Sequence, residues 1–158
     1  MRAASGKEDN SSSPTGPRKI LVAIDGSENA ERAAQAAIEL GKKCRSSLIV
    51  LSVVPHPGTL ASPPRDYYDY YESIIQRWVD KVVQDCERQG VAARGQIMRA
   101  QPSIPGEILE VAKAEGADLV IVGSRGLSML KGGFRQVLAG SVSNAVVSHA
   151  PCNVLVVK

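Results

Sequence analysis

The sequence of 158 residues is poor in aromatic side chains and cysteine, and it has no long apolar run. Aromatic residues make up 4% of the chain, so aliphatic side chains must fill the core. The three cysteines follow no disulfide or zinc-ligand spacing, which favours free thiols in a reducing compartment. No stretch approaches the roughly 20 apolar residues of a membrane span, and the N-terminus lacks a secretory signal. We therefore expect a cytoplasmic protein outside the membrane.

The charge of the chain gives little support to a nucleic-acid partner. The formal net charge is +3, and no dense basic stripe or interleaved run of aromatic residues is present. Residues 1–18 are rich in serine, glycine and proline and have almost nothing to bury, which predicts a disordered N-terminal tail. The remaining residues, 19–158, fit one folded domain.

Apolar runs alternate with amphipathic segments along residues 19–158, which predicts five strands separated by four helices. Parallel strands need long connections, so the pattern indicates an open five-stranded parallel α/β sheet with helices on both faces. We expect the strand order 3-2-1-4-5, with the less apolar third strand at one edge. The predicted strands are 19–25, 47–54, 92–99, 117–123 and 152–158, and the predicted helices are 28–44, 66–88, 105–115 and 141–149.

Two small-residue turns lie where a ligand would bind in such a sheet. Ligands of open α/β sheets bind beyond the carboxyl ends of the strands, at the point where the winding reverses. In the expected order this point lies between the first and fourth strands, which lead into residues 25–27 and 123–126. Gly123 and Gly126 can take positive φ and approach a phosphate without a Cβ in the way.

The start of the last predicted helix offers a second anion-binding element. Gly140 precedes the helix, and the backbone N–H groups of Ser141, Val142 and Ser143 are unpaired in its first turn. The hydroxyls of Ser141 and Ser143 could add donors. A tight connection followed by an ordinary capped helix would give the same residues, so these features alone leave both interpretations open.

Three segments carry a resemblance to a known family: KILVAIDGSENAERA, GADLVIVGSRGLS and LAGSVSNAVVSHAPCNVLVVK. The chain resembles the universal stress protein family over residues 18–158. ATP-binding members of that family carry G-x2-G-x9-G-[ST], to which Gly123, Gly126, Gly140 and Ser141 correspond. Here thirteen residues, 127–139, replace the nine of the pattern. We expect the longer loop to bulge outward or act as a lid, although it could also cover the phosphate site.

The resemblance implies a binding site for ATP, with AMP or ADP as alternatives, together with Mg²⁺. Asp25 could bind that ion or cap its own turn, and we favour the cap because one carboxylate is a poor magnesium site. Ser143 joins the implied site through the helix start described above. The implied adenine neighbours are Ala23, Ile24, Asp25 and Val53; Val122 would lie near the sugar or base; Gly123, Gly126, Gly140, Ser141 and Val142 would hold ribose and phosphates; Arg125, Lys131 and Arg135 could supply charge.

The resemblance also implies a homodimer paired through the apolar C-terminal strand, Asn153–Val157, and a role in which the nucleotide switches dimer or partner interactions. No P-loop and no general base placed by a motif are present, so we expect slow ATP hydrolysis at most. An alternative is a dimeric interaction module of the same fold that binds no nucleotide. A phosphoryl-accepting receiver domain is nearly excluded. It needs an acidic pair after the first strand and a phosphorylatable aspartate at the end of the third. This sequence has the single acidic residue Asp25 at the first position and Arg99 and Ala100 at the second.

Overall fold

The computed structural model describes residues 15–59, 64–126 and 140–158. Strands and helices alternate in these ranges as the sequence predicts. β1 ends at Ala23 rather than at residue 25, and β4 begins at Leu119 rather than at residue 117. The elements are β1 Lys19–Ala23, α1 Glu28–Cys44, β2 Ser47–Val54, α2 Tyr67–Arg88, β3 Ala93–Arg99, α3 Ile104–Glu115, β4 Leu119–Gly123, α4 Ser141–His149 and β5 Asn153–Val157, with a short 3₁₀ turn at Pro57–Thr59.

The strands form one parallel sheet in the order β3-β2-β1-β4-β5, which confirms the predicted fold class and strand order. β1 lies at the centre, where Ala23 is opposite Leu51 of β2 and Val122 of β4. The winding therefore reverses between β1 and β4. β3 and β5 are the two edge strands.

Side chains of the central strands alternate between two cores. Ile20, Val22 and Ile121 face α1 and α2 and are fully buried. Leu21 and Val120 face α3 and α4 and are equally buried. Burial on both faces explains why these strands are apolar at nearly every position rather than at every second one.

Local sequence signals set the ends of α1. The hydroxyl of Ser27 accepts the N–H of Ala30 at 3.1 Å, so Ser27 caps the helix. Glu28 lies in the first turn and Lys42 in the last, where their charges complement the helix dipole. The helix ends at Arg45, which has a left-handed backbone with φ +56°.

The buried face of α2 includes a residue that the sequence pattern leaves out. The pattern predicts an inward face of Tyr67, Tyr71, Ile74, Ile75, Trp78 and Val82. Tyr67 and Ile75 are buried, and Tyr71, Trp78 and Val82 are half-buried against the same core, but Val79 is 1% exposed. Gly95 of β3 explains the difference, because Val79 fills the space that a side chain at position 95 would occupy. The helix is therefore turned so that Val79 lies over the edge strand and Trp78 lies beside α1.

The chain entering β1 is tied to β4 through one carboxylate. Oδ2 of Asp118 accepts the N–H groups of Arg18 and Lys19, each at 2.9 Å. Ser46 donates its hydroxyl to the carbonyl of Pro17. Residues 1–14 lie outside the described residues, so the disordered tail stays a prediction. None of the helices described is both long and apolar enough to cross a membrane.

Candidate functional site

The turn after β1 is fixed by hydrogen bonds to β2 and within itself. The backbone N–H of Ile24 donates to Leu51 O at 2.8 Å, and the buried hydroxyl of Ser52 donates to Ile24 O at 2.7 Å. Oδ1 of Asp25 accepts the N–H of Ser27 at 3.0 Å. The backbone of residue 24 is thus engaged by β2, and the turn places the Asp25 side chain beyond the end of the sheet.

The apolar residues of the predicted site share one face of the sheet. Ala23, Val53, Val122 and Val142 all pack in the core beneath α3 and α4. Ala23, Val53 and Val142 are half-buried, so this part of the core reaches the surface at the carboxyl end of the strands. Ile24 does not join them, since its side chain is buried on the opposite face with α1 and α2.

The turn after β4 packs directly against the start of α1. A methyl group at Gly123 would lie 3.0 Å from the Asn29 backbone, and one at Gly126 would lie 2.5 Å from Oδ2 of Asp25. Neither glycine has the positive φ that the sequence suggested. Here glycine is required because two chain segments approach closely while the backbone stays in the ordinary region.

Polar side chains hold the β1 and β4 turns together. Ser27 donates its hydroxyl to the carbonyl of Arg125 at 3.4 Å, and the Asn29 amide donates to the Ser124 hydroxyl at the same distance. Arg125 itself is exposed. The two turns that the strand order was expected to bring together are therefore in contact.

The start of α4 reaches the same place. Gly140 has a left-handed backbone with φ +82° and provides no side-chain cap, and a methyl group on it would lie 3.0 Å from the carbonyl of Ser124. Ser141 is exposed, whereas Ser143 is buried and donates its hydroxyl to Gly140 O at 3.1 Å. The Ser143 hydroxyl therefore donates its hydrogen bond within the start of the helix. Its role toward a ligand stays a prediction.

The charge available in the described part of the site comes from Asp25 and Arg125. Lys131, Arg135 and the rest of the loop 127–139 lie outside the described residues. The expected course of this longer loop therefore stays a prediction. The described residues contain no group of three or more His, Cys, Asp or Glu side chains that could hold a metal ion. A magnesium ion at Asp25 would need phosphate oxygens to complete its shell.

Several residues near the site were missed by sequence reasoning. Met98 and Ile104 pack in the same core as Ala23 and Val53. Met98 lies in a predicted strand, where a face assignment could have found it, whereas Ile104 directly precedes the predicted helix 105–115. Asn29 has no such signal, since its part in the site depends on the close approach of Gly123.

The protein is an open parallel α/β protein in which small-residue turns meet where the winding of the sheet reverses. Residues 16–158 match the Universal stress protein family. A universal stress protein of Synechocystis is 32% identical over 155 residues, covering 89% of this chain and 97% of the relative. The chain belongs to the universal stress protein family.

Solved structures of the family share the fold. A family member from Burkholderia pseudomallei has a TM-score of 0.72 at 26% identity, over 89% of this chain and 95% of that one. A universal stress protein in complex with cAMP has a TM-score of 0.67 at 23% identity, over 91% and 98% of the two chains. Similar structures also include one from Archaeoglobus fulgidus with dAMP, at TM-score 0.64 and 18% identity, and one from Arabidopsis thaliana with AMP, at 0.63 and 24%.

Proposed function

We propose that this protein binds an adenine nucleotide, with ATP as the first candidate and AMP or ADP as alternatives, at the carboxyl end of β1 and β4. The observation that carries the proposal is the meeting of three chain segments. Gly126 packs on Asp25, and Gly140 packs on Ser124, so the β1 turn, the β4 turn and the start of α4 border one place. Nucleotide complexes of cAMP, dAMP and AMP among proteins of the same fold favour an adenosine ligand.

The two sides of this place suit the two ends of a nucleotide. The apolar, half-buried Ala23 and Val53 offer a surface for an adenine ring. The first-turn N–H groups of α4 have no side-chain cap and carry the positive end of the helix dipole, which suits phosphate. Hydrogen bonds to a charged group of this kind contribute about 1.5–3 kcal/mol each.

The nucleotide would act as a stress-response switch rather than as a fuel. The Asp25 carboxylate accepts the backbone N–H of Ser27 within its own turn, and no motif places a general base beside it. We therefore propose slow hydrolysis at most, with Mg²⁺ held mainly by the phosphates. Occupancy would then alter contacts between subunits or with partners in the cytoplasm.

The direct test is to purify the protein, denature it and separate the released small molecules by chromatography. We expect ATP, ADP or AMP, and micromolar affinity for added ATP, which corresponds to about −8 kcal/mol. Absence of nucleotide in the supernatant, together with no heat of ATP binding by calorimetry, would sink the proposal.

A second candidate is a dimeric interaction module that binds no nucleotide. The edge strand β5 favours it, because Leu155 and Val156 are 37% and 38% exposed and project to opposite faces of the sheet. An apolar edge strand invites pairing with another strand. We propose that β5 pairs two copies of the chain, and this homodimer is compatible with either function.

A further inference from the structure

Trp78, the single tryptophan of the chain, lies against the turn that follows β1. A methyl group at Gly26 would lie 2.6 Å from both Cε2 and Cζ2 of the indole. Gly26 also has φ +80°, in the left-handed region. The backbone of this turn and the indole therefore fit together only because residue 26 has no side chain.

The indole spans a gap between two helices. α1 presents the small side chains Ala30 and Ala34 to α2, and a groove of about 260 Å³ remains between them, lined also by Ile24, Trp78 and Val82. At its rim, Lys81 pairs with Glu31 at 3.3 Å, but both side chains are about two-thirds exposed. A surface pair of this kind holds the helices only weakly. Trp78 is thus a half-buried link from α2 to the β1 turn.

The β1 turn passes this contact on to the site. Gly26 lies between Asp25 and Ser27. The backbone N–H of Ser27 donates to Oδ1 of Asp25 at 3.0 Å. The other carboxylate oxygen of Asp25 faces Gly126. A shift of Gly26 toward the groove would move the carboxylate relative to Gly126, since the three residues form one tight turn.

We propose that Trp78 is a positioning residue: it supports Gly26 and thereby holds Asp25 against the β4 turn in the geometry that accepts nucleotide. This inference rests on the proposed function for its effect on affinity. Its structural part, the support of the turn, is independent of any ligand.

The binding arm of the test compares Trp78→Ala, Trp78→Phe and Val82→Ala by calorimetry with ATP. Val82 lines the same groove, so its truncation removes packing without touching Gly26. We expect Trp78→Ala to weaken ATP binding about tenfold, a loss of about 1.4 kcal/mol. Trp78→Phe, which keeps a ring over Gly26, should restore most of the affinity, and Val82→Ala should match wild type. Equal affinities for Trp78→Ala and wild type would overturn the proposal.

The second arm needs no ligand and separates this inference from the proposed function. Hydrogen exchange of residues 25–30 should become faster in Trp78→Ala than in Val82→Ala, while exchange in β2 and β4 stays at the wild-type rate. Faster exchange of the turn in Trp78→Ala, found for a protein that does not bind ATP, would support the positioning role and contradict the proposed nucleotide binding. Unchanged exchange in the turn, or equal acceleration throughout the chain, would refute the positioning role.

Discussion

Gly126 packs directly on the carboxylate of Asp25, which lies 101 residues earlier in the chain: a methyl group at position 126 would lie 2.5 Å from Oδ2. The two residues end different strands, β4 and β1, which are neighbours only because the sheet reverses its winding between them. The contact therefore depends on the fold rather than on a local turn. It also makes position 126 sensitive to any side chain.

Gly126→Ala should weaken ATP binding at least tenfold while the protein remains folded. The added methyl group must displace the Asp25 carboxylate, which is half-buried and can move toward solvent. Calorimetry gives the affinity and circular dichroism reports the fold. Asp25→Gly with Gly126→Ala removes the clash, and its comparison with Asp25→Gly alone isolates the steric effect of the methyl group. ATP affinity at the wild-type level in Gly126→Ala would contradict the assigned site.

Gly140→Ala and Gly116→Ala form a matched pair. Both glycines have left-handed backbones, φ +82° and φ +62°, so alanine should cost each about 1–2 kcal/mol of unfolding free energy. Only at position 140 would the methyl group meet other atoms, including Ser124 O at 3.0 Å, whereas position 116 is open. We expect similar or larger destabilisation for Gly140→Ala by urea unfolding, and loss of ATP binding for that variant alone.

Ser52→Ala should lower the unfolding free energy by about 1–3 kcal/mol, because it leaves the carbonyl of Ile24 without its buried donor. Ser52 is 2% exposed, so water cannot easily replace the hydroxyl. Ser47→Ala is the control, since Ser47 is exposed and its bond to Arg18 O is 3.5 Å long. Urea midpoints measure both variants. Equal midpoints would show that the Ile24 carbonyl finds another donor.

Acid should weaken the link between β1 and β4. The backbone N–H groups of Lys19 and Arg18 hold the pKa of Asp118 below its ordinary value. A carboxyl whose pKa is lowered on folding stabilises the protein above its unfolded pKa, and this stability is lost as the pH falls through the folded pKa. Asp118→Asn should therefore be less stable than wild type at pH 7, with the difference shrinking below about pH 4.

Urea unfolding between pH 7 and pH 3 measures this convergence. Glu110→Gln, which removes an exposed carboxylate from α3, is the control and should run parallel to wild type. A constant gap between Asp118→Asn and wild type at every pH would mean that the charge of Asp118 plays no part.

Leu155→Lys should separate the proposed dimer. Lysine on an edge strand opposes pairing with a second strand, and Leu155 is exposed in the single chain, so the fold should tolerate the change. Sedimentation velocity gives the mass of wild type and variant. Ser148→Lys places the same charge on the exposed side of α4 and should leave the mass unchanged. A wild-type protein that sediments as a monomer would remove the dimer proposal.

The sheet and its order were predictable because β1, β2 and β4 are apolar on both faces, a pattern that indicates a covered parallel strand. The meeting of residues 25–27 with residues 123–126 followed from that order alone. The conformation of Gly123 was not predictable, since a sequence cannot distinguish a glycine needed for positive φ from one needed for a close contact. The burial of Val79 in α2 was also not predicted, because it depends on Gly95, a residue of another element.

All strands run in the same direction, so the turns after β1 and β4 and the Asp118 link lie at opposite ends of the sheet. β1 has five residues, which separates the two ends by about 16 Å. A thiol-reactive dye on a Thr15→Cys variant whose three native cysteines are replaced would therefore lie at the end of the sheet away from the proposed nucleotide site. Conversely, a truncation that removes Arg18 would lose one of the two amides held by Asp118 and should loosen the first strand before it affects the turns.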